Sequence, residues 1–233
     1  MAYRTPRRRA VTPGGKGRFP GFDVLDELPR WDELTAGVVL ARLDPEPALS
    51  FFTVAEQAAA AALFDQLLDQ FDEPRVPVLQ LVDHRLALNE TDGWVYEDMP
   101  DDREAWRVSL AGLDADAQEL FGLPFHQLSR EHQCELIQGV QDAAEWRGLT
   151  ASHVWSLWTR YACAAFYSHP WAWNEIGFGG PAYPRGYKAR GMGKRERWEV
   201  ADEAGDDPVP WANRVEAVRR RHARSTGRKA KEP

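Results

Sequence analysis

Residues 150–187 read TASHVWSLWTRYACAAFYSHPWAWNEIGFGGPAYPRGY. The two halves of this stretch obey different rules. Thr150 or Ser152 suits a helix N-cap, and Val154, Leu157, Trp158, Tyr161, Ala162 and Ala165 recur at three- and four-residue spacing. That spacing predicts a long helix, ending near Phe166, with one buried face. From Tyr167 to Tyr187 the pattern changes to six aromatics (Tyr167, Trp171, Trp173, Phe178, Tyr183, Tyr187) among four glycines and three prolines. Pro170, Pro181 and Pro184 remove backbone donors and fix φ, so the expectation is a long loop with no helix or central strand through it. Gly177, Gly179, Gly180 and Gly186 allow backbone shapes that other residues resist. A segment of this kind is ordered by aromatic burial, by side-chain hydrogen bonds or by a partner.

Upstream, the helical period dominates. Thr53 followed by Glu56 is a capping box, and Phe52, Leu63, Phe64, Leu67, Leu68 and Phe71 carry a helix to about Gln70. Pro74 and Pro77 open another, with Val78, Leu79, Val82 and Leu86 on one face. Asn89 to Pro100 reads as a turn-rich loop holding Trp94 and Tyr96. Asp101-Asp102 starts a helix with Trp106 and Leu110 inward, and Asp114 caps a separate short one with Ala117, Leu120 and Phe121. Ser129 caps a helix carrying Leu136, Ile137 and Val140. Nothing alternates with period two over a useful length. The expected fold is all-α: an orthogonal bundle of five or six helices, a long aromatic Gly/Pro-rich loop and flexible basic tails.

The domain reading is a basic lead over 1–21, a helical domain over 22–188 and a charged extension over 189–233. Residues 22–40 pack across the body with one short helix, and 211–222 form a last, weakly docked one. Charge follows the same division. Residues 1–18 carry six basic residues and no acid, and 214–233 carry eight basic and two acidic ones. These tails hold twelve net positive charges, so the total of −7 leaves −19 on residues 19–213. Basic tails suit nucleic acid or anionic lipid, but an acidic body repels phosphate and no base-reading motif accompanies the arginines. No nucleic acid is therefore expected. No apolar run is long enough to span a bilayer. Cys134 and Cys163 read as small buried groups without a disulfide, in a reducing compartment. The polar run Thr12–Gly17 after Arg7-Arg8-Arg9 is no apolar signal core, which favours the cytoplasm, with carriage by an exported partner as the alternative.

Sites for chemistry are sparse. The sequence has no G-x-G-x-x-G, P-loop or C-x-x-C pattern. Glu131, His132 and Glu135 superficially suggest metal ligands, but they do not share one helix face and read as solvated surface. His84, His126 and His153 read as packing residues. His169 differs, because Pro170 holds it extended inside the aromatic segment. It either faces a partner's active site or bonds a backbone carbonyl.

The segments Phe166-Tyr167-Ser168-His169-Pro170, Trp173-Asn174, Gly177-Phe178-Gly179-Gly180-Pro181 and Tyr183-Pro184 resemble the signature of the gluconate 2-dehydrogenase subunit 3 family. Phe51-Phe52-Thr53-x-x-Glu56 resembles the family's first helix start. Leu113-Asp114, Ala117, Phe121-Gly122, Pro124-Phe125 and Leu128 resemble its middle segment. The resemblance covers about residues 50–188. It implies a non-catalytic accessory (gamma) subunit with no cofactor of its own. Such subunits bind and stabilise or mature a glucose-methanol-choline type flavoprotein that carries FAD and oxidises a sugar, sugar acid or polyol, with or without a cytochrome c subunit. On this reading His169, Pro170, Trp171, Trp173, Asn174, Gly177, Phe178, Gly180, Pro181, Tyr183, Pro184 and Tyr187 form the partner contact, with Arg185 at its rim. Two alternatives stay open: a small stand-alone enzyme using His169, Asn174 and Glu175, and a nucleic-acid or lipid binder acting through the tails.

Overall fold

A computed structural model describes Phe19 and residues 22–45, 47–188, 194 and 196–199. The expected tail helix over 211–222 and most of the 1–21 and 189–233 segments lie outside the described residues. The described fold is helical. A 3-10 turn, Val24–Arg30, precedes α1 (Glu33–Ala41), α2 (Val54–Leu68), α3 (Val78–Ala87) and α4 (Asp102–Phe121). A second 3-10 turn, Phe125–Gln127, leads to α5 (Arg130–Asp142). A two-residue ladder, β1 (Glu145–Trp146) with β2 (Leu149–Thr150), then leads into α6 (Ala151–Ser168) and α7 (Pro170–Ile176). The all-α expectation holds; the number of helices is larger than expected.

The caps explain where helices begin. Thr53 accepts from the Glu56 N–H while the Glu56 carboxylate accepts from the Thr53 N–H, the reciprocal box read from the sequence. Helix α2 stops at Leu68, slightly short of the expected Gln70, because Asp69 turns left-handed at φ 52°. Asp101 caps α4 and Ser129 caps α5. Helix α6 starts where expected, but Thr150 donates no help to it: its hydroxyl goes to the Asp98 carboxylate.

Four sequence expectations need correction. Asp114 does not start a new helix; α4 runs unbroken for 20 residues and the Asp114 carboxylate accepts from the Phe125 N–H at 2.9 Å. No proline interrupts residues 102–121, so nothing local ends the helix there. Gly112 marks a close approach, since a Cβ there would lie 2.6 Å from the Trp146 ring. Second, Pro170 does not exclude helix but opens α7, because at the first helical position the missing N–H has no intrahelical partner to lose. Third, Cys134 and Cys163 are free but exposed, not buried. They lie off the inward stripes Gln133, Leu136, Ile137, Val140 and Val154, Leu157, Trp158, Tyr161. Fourth, a short β-ladder does form, around Arg147 and Gly148 at positive φ.

Two clusters hold the described chain together. The larger joins α2 to α6 around Leu63, Phe64, Trp106, Leu113, Val154 and Trp158. Phe52, Phe64 and Tyr161 all meet Trp106 edge-on or tilted, with ring centroids 5.4–6.0 Å apart. The smaller gathers Val24, Trp31, Val39 and Trp173, so the N-terminal segment closes onto α7. Asp83, buried on the apolar face of α3, accepts from the N–H groups of Ser50, Phe51 and Phe52 at 2.7–3.0 Å and fixes the entry to α2.

Candidate partner interface around the aromatic segment

Helix α6 delivers the chain to His169, and Arg42 caps its far end by donating to the Ser168 carbonyl at 3.0 Å. His169 is extended (φ −88°, ψ 137°) as its place before Pro170 dictates. It is wholly buried. Its Nδ1 accepts from the Trp171 N–H at 3.2 Å, so the imidazole caps α7 rather than facing outward. The proton must then sit on Nε2, which has no partner. Burial first, and then the Arg42 cation, push the imidazole down to about 4.

Trp173 is also inside. Its indole N–H donates to the Tyr167 carbonyl at 2.6 Å, and the Arg42 guanidinium lies over its ring at 5.8 Å. Asn174, 2% exposed, accepts from the Val24 N–H at 2.7 Å and donates to the Asp23 carboxylate at 3.3 Å. One carboxamide thus satisfies a backbone donor and a helix-capping carboxylate 150 residues away. Gly177 and Gly180 complete the closure. Both have positive φ, and a Cβ would lie 2.6 Å from the Phe19 ring at the first and 2.4 Å from the Trp31 ring at the second.

The remaining residues divide by exposure. Phe178, Tyr183, Pro184 and Tyr187 face solvent, and Trp171, Gly177 and Pro181 are half-buried. His169, Pro170, Trp173, Asn174 and Gly180 are buried and so do not themselves present a surface, contrary to the sequence reading. The physical reason is the segment 22–45, whose apolar side chains need a counterpart and take this one. Arg185 was expected at a solvated rim. It is instead nearly buried, donating to the Gly179 and Pro181 carbonyls at 3.1 and 2.7 Å and to the Glu27 carboxylate. The His169, Asn174 and Glu175 trio does not converge as a reactive set, since the first two are committed to capping and clamping.

Residues 54–180 match the model of the gluconate 2-dehydrogenase subunit 3 family. The chain belongs to that family. No curated protein and no solved structure matches the chain. The family segment begins at the first residue of α2 and ends at Gly180, so the segment Val24–Ala41 and Arg185 lie beyond it. Asn174, within the family segment, reaches across this boundary, as do the Ser168 carbonyl and the Trp173 ring. Family membership implies a subunit of a larger complex. Among the described residues no helix is long and apolar enough to cross a membrane.

Sequence reasoning missed Asp83 and the buried network of Asp102, where the Tyr161 hydroxyl donates at 2.6 Å and Arg160 at 3.1 Å. Burial and the Asp102 carboxylate push Tyr161 up, so it stays a neutral donor. The signal for Asp83 was available: an acid inside the stripe Val78, Val82, Leu86 is costly unless satisfied. The partners of Asp102 lie almost 60 residues away and leave no local trace.

Proposed function

We propose that this chain is the non-catalytic accessory subunit of an FAD-dependent, glucose-methanol-choline type dehydrogenase acting on a sugar, sugar acid or polyol. In this reading the flavin and its redox chemistry belong to the large subunit. This chain binds that subunit and stabilises or matures it. The observation that carries the reading is the family segment over residues 54–180. The exposed side chains support it. Beyond α7 the chain presents Phe178, Tyr183 and Tyr187 to solvent, and α1 presents Leu34, Val38 and Leu40. Exposed aromatic and aliphatic groups on rigid supports are what a docking face supplies, and proline restraint lowers the ordering cost. In this reading Phe178, Tyr183, Pro184 and Tyr187 make the contact, and the buried members of the segment hold them in place.

The test is co-expression with a candidate glucose-methanol-choline type flavoprotein from the same organism. Wild type should co-purify in a defined ratio and raise the yield of FAD-loaded large subunit. Tyr183→Ala with Tyr187→Ala should leave helicity and melting of the isolated chain unchanged while weakening association by about 2 kcal/mol or more. A large subunit that loads FAD and turns over equally well without this chain, and never co-purifies with it, would refute the proposal.

A further inference from the structure

Between the 3-10 turn Val24–Arg30 and the chain beyond α7 lies a cleft of about 830 Å³, lined by Arg30, Arg185, Lys188, Glu196, Arg197 and Trp198. Its charge runs against that of the molecule. Among the described residues four cations line it with a single carboxylate, in a body that carries −19 over residues 19–213. Glu27 beneath the cleft is shared by Arg30 and Arg185. Glu196 accepts from the Lys188 N–H, and Glu199 accepts from the Glu196 N–H. Counting Glu27 and Glu199 against the lining still leaves a positive surplus among the described residues. A concave, one-signed surface with low-dielectric walls focuses its potential outward.

The cleft is also built rather than incidental. The Arg185 side chain is 11% exposed and its guanidinium lies 4.0 Å from the Trp198 ring and 6.0 Å from that of Trp31. Two carbonyls and Glu27 fix it, yet its Nε is buried without a partner. Trp198 meets Tyr187 at 5.3 Å, so the cleft continues into the exposed aromatic rim beyond α7. A small inorganic anion has no use for an indole wall and a tyrosine rim. A protein segment does, because Trp, Tyr and Arg together are the composition of interface hot spots.

We infer that this cleft receives an acidic segment of the partner protein, with carboxylates toward Arg30, Lys188 and Arg197 and apolar side chains toward Trp198 and Tyr187. This rests on the accessory-subunit reading and gives that docking face its chemistry. The charges set encounter rate and register, and the aromatics supply the contact area.

The experiment uses the full chain and a fluorescein-labelled peptide of alternating Glu and Leu, followed by anisotropy. Binding should weaken severalfold between 50 and 300 mM NaCl. Lys188→Glu with Arg197→Glu should weaken it tenfold or more and flatten the salt dependence. Both side chains sit outside the two hydrophobic clusters, and unchanged melting checks the fold; if the reversal pair melts early, Lys188→Gln with Arg197→Gln carries the same test. A Lys/Leu peptide that binds as well, or pyrophosphate that competes as well as the Glu/Leu peptide, would overturn the inference. The co-expressed flavoprotein then separates the two readings. If it is lost from Tyr183→Ala/Tyr187→Ala but binds the charge-reversed chain at full strength, the cleft inference falls and the docking face stands. If the peptide binds through the cleft but no flavoprotein ever associates, the accessory-subunit reading falls and the cleft stands.

Discussion

The two hydrophobic clusters are assembled by different means. The larger one is a periodic helical core: α2, α3, α4, α5 and α6 each bring an apolar stripe, and Trp106 and Trp158 sit wholly buried where the stripes meet. Among the described residues the smaller one has four buried members, Val24, Trp31, Val39 and Trp173. Polar clamps supply much of its definition: Asn174 to Val24, Arg185 to Glu27, and His169 at the start of α7. An apolar stripe tolerates small shifts, whereas a clamp works at one distance. The larger cluster should therefore lose stability in proportion to volume removed, and the smaller should fail at single polar atoms.

The largest expected loss comes where a clamp sits inside the large cluster. Asp83→Ala leaves the N–H groups of Ser50, Phe51 and Phe52 without an acceptor in a buried site. Unmade hydrogen bonds to a buried charge of this kind cost about 4 kcal/mol in total. Chemical unfolding should show it as a lower midpoint with unchanged slope. A loss below that of a surface substitution would mean the turn before α2 is held by packing alone.

Next comes His169, through pH. Its imidazole is held neutral in the fold, down to about 4, against an ordinary value near 6.5. Above 6.5 neither state is protonated and the group has no effect. Between 6.5 and 4 the unfolded chain takes a proton that the folded chain refuses, so stability falls with falling pH, by about 3 kcal/mol across the window. Below 4 both states are protonated and the loss stops growing. His169→Asn keeps an acceptor for the Trp171 N–H but does not titrate. Urea unfolding from pH 4 to 7 should show the variant with a shallower pH slope, by up to one proton; equal slopes would remove His169 from the account.

Asn174→Ala tests the smaller cluster directly. It strips the acceptor from the buried Val24 N–H and a donor from Asp23, a loss of about 2 kcal/mol. The damage should stay local. Limited proteolysis should cut within residues 22–45 several times faster, while amide exchange in α4 and α6 stays as in wild type. Cleavage at the wild-type rate would show that Trp31 and Val39 hold the segment without the clamp.

The same contrast explains what could be read in advance. The helices of the large cluster were legible because each announces itself locally, through a cap such as Thr53 or Ser129 and a stripe such as Leu136, Ile137, Val140. The exceptions were also local in origin. The acid at 114 reads as the cap of a separate helix, and only the distant Phe125 N–H explains it. The aromatic segment was legible as special but not as helical, because Pro170 reads equally as a breaker and as a first helical residue. Its burial was not legible at all. Trp173 and Asn174 are covered by residues 23, 24 and 31, and no spacing within 167–187 encodes that partner. The exposed remainder, Phe178, Tyr183 and Tyr187, is the part of the sequence-derived site that the fold leaves facing solvent.

The smallest effect belongs to the capping box, and its internal order sharpens the comparison. Thr53 Oγ1 accepts from the Glu56 N–H at 3.4 Å, a long bond, while the Glu56 carboxylate accepts from the Thr53 N–H at 2.8 Å. Glu56 also takes two donations from Arg107 at 2.8 and 2.9 Å, and Arg107 reaches on to the Phe51 carbonyl at 3.0 Å. Thr53→Ala removes only the weaker half of the box, so it should cost about 1 kcal/mol or less. Glu56→Ala removes the stronger half together with the Arg107 pair, and should cost more than Thr53→Ala by a measurable margin. Both changes act on the start of α2, inside the large cluster. Neither should alter proteolysis within residues 22–45, whose clamp lies at Asn174. If Thr53→Ala proved the costlier of the two, the hydroxyl bond would be the main cap despite its length. If either variant loosened residues 22–45, the two clusters would be one cooperative unit, and the distinction between a periodic core and a clamped one would fail.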